Sequence, residues 1–156
     1  MLRVAPRSVF SRTAAACLLA ATVLAGCGTR DGLPRWGVRS RTVSGLGPVL
    51  EDGAGYTLYV YVPDNQGPSK CYEACARAWP PLVLPKGVAV AVGGAGVKAS
   101  LLGTSRRRDG DLQVTYNHWP LYTYVDDARG EVNGQGEGMG AWYTLSVTGV
   151  VDRQQL

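Results

Sequence analysis

Leu58-Tyr59-Val60-Tyr61-Val62-Pro63-Asp64 and Leu121-Tyr122-Thr123-Tyr124-Val125-Asp126-Asp127 are two versions of one heptapeptide, set 63 residues apart. In the first, Leu58, Val60 and Val62 alternate with Tyr59 and Tyr61, so a strand here carries aliphatic residues on one face and tyrosines on the other. Leu121 to Val125 alternates likewise. The match continues without a gap, Gly67 falling on Gly130, Trp79 on Trp142 and Leu82 on Leu145. Identity at so many positions under one offset means two copies of one structural unit, spanning about 43–84 and 106–149.

Working outward, turn signals bracket both heptapeptides: Glu51-Asp52-Gly53-Ala54-Gly55 before the first, Asn117-His118 before Trp119-Pro120 in the second. Pro48–Leu50, Leu82–Leu84, Val88–Val92, Leu112–Tyr116 and Trp142–Val147 are further candidate strands. One short helix is expected over Lys70–Ala78, capped by Ser69 and stopped by Pro80-Pro81. Cys71 and Cys75 lie in that segment; their counterparts are Gly134 and Gly138, in a stretch too dense in glycine for a helix, so a loop is expected there. The Val88–Val97 segment reads as a strand pair or a connection. Short strands, 21 glycines and nine prolines together indicate an all-β fold, an antiparallel sandwich or small barrel made of two pseudosymmetric repeats.

The amino terminus has a different character. Arg3, Arg7 and Arg12 precede an apolar run, Ala14 to Leu24, and no acid appears before Asp31. Such a run is the length of a signal-peptide core and shorter than the roughly 20 residues of a spanning helix. It ends in Leu24-Ala25-Gly26-Cys27, which resembles the bacterial lipobox. That resemblance implies a signal peptide over 1–26, a diacylglycerol on Cys27, a lipidated basic tether over 27–42 and a tail over 151–156 beyond the two-repeat domain. The expected location is the extracytoplasmic face of a membrane, held through the lipid.

The net charge of +4 is mostly a property of this leader. Without Arg3, Arg7 and Arg12, 13 basic residues face 12 acidic ones, and Arg30, Arg35, Arg39 and Arg41 fall in the tether. Arg106-Arg107-Arg108 reads as the flank of a soluble turn; no basic groove for nucleic acid is expected. Of four cysteines, Cys17 leaves with the signal, Cys27 takes the lipid, and Cys71 and Cys75 remain to form a disulfide after export.

The two Tyr-x4-Asp units, the Cys71-x3-Cys75 turn leading to Trp79-Pro80-Pro81-Leu82, and Gly134-Gln135-Gly136 leading to Trp142 resemble the bacterial lipoproteins that carry a secreted repeat of unknown function. The resemblance spans roughly Val43 to Gly149. It implies tandem repeats and a lipid anchor, and no substrate, cofactor or catalytic residue.

Function must then be sought in residues. Asp64 and Asp127 follow strands, where an aspartate commonly accepts backbone N–H groups of the next turn; the rival reading is a carboxylate pair lining a binding surface with Tyr59, Tyr61, Tyr122 and Tyr124. Trp79 and Trp142, equivalent under the repeat, are expected as core anchors. The single histidine, His118, provides no multi-histidine metal site, and no Gly-x-Ser-x-Gly elbow is present. The sequence therefore predicts a non-catalytic surface protein without metal or cofactor, with either a structural role or a binding role toward a cell-surface protein, a glycan or a small molecule in addition to the membrane. The alternative is a redox accessory using Cys71/Cys75, or a haem or metal held by Cys71, Cys75, His118 or Met139.

Overall fold

A computed structural model describes residues 32–156. The signal, the lipobox and Cys27 lie outside the described residues. The chain runs β1 (Val38–Val43), β2 (Gly47–Asp52), β3 (Tyr59–Tyr61), α1 (Ala74–Ala78), β4 (Leu102–Arg106), β5 (Leu112–Tyr116), β6 (Trp119–Pro120), α2 (Glu137–Gly140) and β7 (Trp142–Thr144). Three small sheets result, β1–β2, β3–β7 and β4–β5–β6, with every named strand pair antiparallel. The fold is mostly β, as the alternating patterns require, but the described strands close no barrel.

Each repeat opens with a hairpin, and the two hairpins match in register. Ser40 pairs with Leu50 in the first and Thr104 with Val114 in the second, an offset of 64 residues and not 63. The extra residue is absorbed between the hairpin and the heptapeptide. In the first copy Asp52 N–H bonds Tyr56 O across a three-residue turn; in the second Tyr116 faces Trp119 across Asn117-His118 alone. Both Asn117 and His118 have positive φ (47° and 65°), the conformation that lets a two-residue hairpin follow the strand twist.

Strand alternation divides the interior in two. Leu58, Val60 and Leu121 turn toward one core with Val38, Leu50, Leu82, Val114 and Leu145. Tyr59 and Tyr122 turn the other way, into a second core with Cys71, Trp79 and Trp142. Burying an aliphatic side chain of this size contributes about 1.5–3 kcal/mol, and the rings of the second core bury still larger apolar surfaces, so both cores hold the fold.

Four local expectations change. The helix covers only Ala74–Ala78 and Ser69 does not cap it; Glu73, at the cap position, has φ 53° and makes no side-chain cap bond. Ser69 is engaged elsewhere, as described below. The glycine stretch contains one short turn, α2, whose Gly138 and Met139 have left-handed φ of 63° and 58°, so it is not an ordinary right-handed helix. Val88–Val92 forms no strand: this segment lies beside β1, with Val38 N–H on Val92 O and Gly94 N–H on Val38 O. Finally, β1 begins inside the stretch read as tether. Arg39 and Arg41 are strand residues, both pairing with Glu51 at 2.6 and 3.0 Å.

Candidate functional site

Tyr59 and Tyr122 hold equivalent places in the two repeats and pair with each other. Tyr59 N–H donates to Tyr122 O at 2.8 Å, and Tyr122 N–H to Tyr59 O at 3.0 Å. An approximate twofold axis therefore passes between them, and the surrounding contacts occur in pairs.

The aspartates of the heptapeptides join this centre by exchange. Tyr59 donates its hydroxyl to Asp127 Oδ2 at 2.7 Å, and Tyr122 donates to Asp64 Oδ2 at 2.6 Å. Each tyrosine thus serves the aspartate of the other repeat. The second oxygens accept backbone N–H groups six residues downstream: Asp64 Oδ1 from Lys70 and Asp127 Oδ1 from Asn133, both at 2.7 Å. Beyond that the copies diverge. Ser69 Oγ lies 2.7 Å from the Tyr122 hydroxyl and accepts Cys71 N–H, whereas Gly134 N–H donates directly to the Tyr59 hydroxyl at 3.2 Å.

Relative exposures of 0% for Tyr59 and Tyr122, 2% for Asp64 and 6% for Asp127 put all four in the interior. Burial raises both carboxyl groups above their ordinary value, against the lowering effect of the tyrosine and backbone hydrogen bonds. Burial, and then the facing aspartate, push both tyrosine hydroxyls upward, so they persist as donors. A general acid or base must touch the group it serves. These four groups touch one another and the backbone, so the arrangement fastens two repeats together rather than presenting reactive atoms to solvent.

Trp79 and Trp142 stack across the same axis, 4.0 Å between centroids and 4° between planes. Tyr124 stacks on the outer face of Trp79 at 4.1 Å and Tyr61 on that of Trp142 at 4.6 Å, making a column of four rings. Tyr59 and Tyr122 meet the indoles edge-on at 5.3 and 5.1 Å. Tyr61 and Tyr124, at the column ends, are half-buried. Of the six residues named for a binding surface, then, only these two reach solvent.

Cys71 and Cys75 form a disulfide with Cα atoms 5.2 Å apart. Cys71 is fully buried against the ring cluster, and Cys75 is half-buried beside it. The residue that sequence reasoning missed is Arg107. Although the arginine run reads as a turn flank, Arg107 is buried, with guanidinium bonds to Ser69 Oγ (2.9 Å), Gln113 Oε1 (2.7 Å) and Cys71 O (3.0 Å). It ties the second hairpin to the disulfide turn of the first repeat. Its sequence signal is the polar Gln113 between the aliphatic Leu112 and Val114 of a strand.

Among the described residues no cluster of three or more His, Cys, Asp and Glu is placed to hold a metal. His118 is exposed in the β5–β6 turn, and Met139 is fully exposed on α2. No described helix is long and apolar enough to cross a membrane. Pro80–Pro85 together with Arg35, Trp36, Asp52 and Thr123 line a groove of about 450 Å³.

Comparison with known proteins agrees with the internal repeat. The family described as a secreted repeat of unknown function matches twice, over residues 40–83 and 103–146, together more than half of the chain. No curated protein and no solved structure matches.

Proposed function

The chain belongs to the family of secreted repeats of unknown function, and on that premise we propose that it is an exported lipoprotein whose two-repeat domain is a non-catalytic binding or structural module at a membrane surface. Its expected place is the extracytoplasmic face, attached through a diacylglycerol on Cys27. Two acyl signals or more give stable anchoring where a single chain gives marginal binding.

One observation carries the reading of the domain: the motif residues Tyr59, Asp64, Tyr122 and Asp127 are interior and satisfied by one another. Motif conservation between the copies is thereby accounted for by assembly of the fold, which leaves the surface to carry specificity. The redox alternative finds less support, because Cys71 is buried and an attacking thiolate would have to reach the disulfide through the half-buried Cys75.

The test is expression of the full chain in a bacterium that processes lipoproteins, followed by mass measurement of the amino-terminal peptide and membrane fractionation. Cleavage before Cys27, a diacylglyceryl mass on it and release of the domain by Cys27→Ser are expected. An unmodified Cys27 in a membrane-free protein would refute the anchor.

A further inference from the structure

The second repeat covers one sheet edge with the chain's own tail. Beyond β7 the chain turns back, and Val151 bridges Leu145 in antiparallel fashion. Ser146 N–H donates to Val150 O at 2.9 Å, and Asp152 N–H to Thr144 O at 3.0 Å. The side chain of Val151 packs against the main core. Gln135 fastens the tail further, its Nε2 donating to Asp152 O and Gln154 O, both at 2.8 Å.

The counterparts of Thr144, Leu145 and Ser146 in the first repeat, 63 residues earlier, are Pro81, Leu82 and Val83. Their inner edge is used in the same way: Pro81 bridges Tyr122 and Val83 bridges Gln113, through Leu82 N–H on Leu121 O and Val114 N–H on Leu82 O. That pattern turns Pro81 O, Val83 N–H and Val83 O outward. Neither Val83 N–H nor Pro81 O has a hydrogen-bond partner among the described residues, because after Pro85 this copy of the chain departs toward β1. The outward edge forms one wall of the groove that Arg35, Trp36, Asp52 and Thr123 complete.

We propose that this groove binds an extended peptide segment of another protein, which adds to the Pro81–Val83 edge as Val150–Asp152 adds to Thr144–Ser146. The inference deepens the binding role proposed above and rests on it. The twin edge fixes the contact: one peptide carbonyl accepts Val83 N–H, the residue two places on donates its N–H to Pro81 O, and the residue between them is apolar, as Val151 is. Strand addition of this kind derives affinity from the backbone and selectivity from alternate side chains. Pro80, Pro81 and Pro85 confine the edge to one donor and its neighbouring acceptors, which suits a three-residue contact and prevents open-ended sheet growth. Arg35, exposed at the groove's edge, gives a bound segment one cationic contact, whereas Asp52 is buried and accepts the N–H groups of Ala54 and Tyr56.

The probes are a fluorescein-labelled heptapeptide copying Thr148–Gln154 and a pool of heptapeptides with Val, Ile or Leu at the central position. Each is titrated to millimolar concentration into the disulfide-intact domain, with anisotropy and backbone amide shifts recorded together. Saturable binding with the largest shift at the Val83 amide is expected, weakened tenfold or more by Val83→Pro and retained by Val83→Ala, which keeps the N–H. Shifts centred on Thr144 and Ser146 would mean exchange with the chain's own tail and would overturn the proposal. So would the absence of binding by both probes, which leaves Cys27 lipidation and membrane attachment untouched and so separates this failure from failure of the anchored reading.

Discussion

Tyr59 gives its hydroxyl proton to Asp127, in the other repeat, and not to Asp64, five residues along its own chain. With its twin contact from Tyr122 to Asp64, this makes the Tyr-x4-Asp motif a device that works only when two repeats face each other. Either repeat alone would bury a carboxylate without its donor, at a cost of about 1–3 kcal/mol per lost partner. A single repeat produced alone is therefore expected to be unfolded or to dimerise, as sedimentation and circular dichroism would show.

The buried tyrosines set the alkaline limit of stability. Their folded-state ionisation lies above the ordinary value of 10.0 because burial and the adjacent aspartates oppose the phenolate. Unfolding releases that opposition, so the contribution is fully present below pH 10 and is lost as pH rises past it. Urea unfolding midpoints should fall above pH 10. Absorbance at 295 nm should show Tyr59 and Tyr122 titrating only as the protein unfolds, and Tyr59→Phe/Tyr122→Phe should flatten the fall.

On the acid side the sign is unusual. Asp52, Asp64 and Asp127 are all raised by burial above the ordinary 3.8. The native state then binds protons more readily than the unfolded chain, so these groups favour folding most below that value and progressively less as pH climbs through their raised range. Unfolding free energy attributable to them should increase on acidification from neutrality toward pH 4. The comparison of wild type with Asp52→Asn, whose twin position in the second repeat is Tyr116 and whose loss leaves the centre intact, checks the direction.

Trp79 and Trp142 lie parallel at 4.0 Å, close enough for their indole transitions to couple. An exciton couplet is expected in the ultraviolet circular dichroism and should vanish in both Trp79→Phe and Trp142→Phe. Truncation of either to alanine should cost about 3–5 kcal/mol, the range for deleting a large buried ring.

Gly134 is fixed by a close approach. A Cβ there would lie 2.6 Å from Trp79 and 2.9 Å from the Tyr59 ring. Gly134→Ala should destabilise by more than 1 kcal/mol, since overpacking typically costs about 1–3, whereas Gly67→Ala, where the nearest contact is a carbonyl at 3.2 Å, should cost less. Reduction of Cys71–Cys75 should cost only about 2 kcal/mol, because so small a loop constrains the unfolded chain little. Thermal unfolding of the four proteins orders these effects.

The repeat, the all-β class and the two faces of the heptapeptide were legible because alternation and self-similarity are properties of the sequence itself. Leu58 and Val60 do fall in one core and Tyr59 in the other. The exchange of Asp64 and Asp127 between repeats was not legible: local spacing places each aspartate beside its own strand, and only the mutual pairing of Tyr59 and Tyr122 reveals the crossing. Ser69 looked like a helix cap because its neighbours fit that pattern, but Arg107, 38 residues away, and Tyr122 compete for its hydroxyl. Arg39 and Arg41 looked like tether charges because Glu51, which pairs with both, is remote in sequence.

The reciprocal exchange is tested most directly by double-mutant cycles in urea. Tyr59→Phe combined with Asp127→Asn should show a coupling of about 1–3 kcal/mol, in the range for residues sharing a buried hydrogen bond, while Tyr59→Phe combined with Asp64→Asn should be additive within about 0.5 kcal/mol. Coupling of Tyr59 to Asp64 in place of Asp127 would contradict the account, because each motif would then be complete within its own repeat.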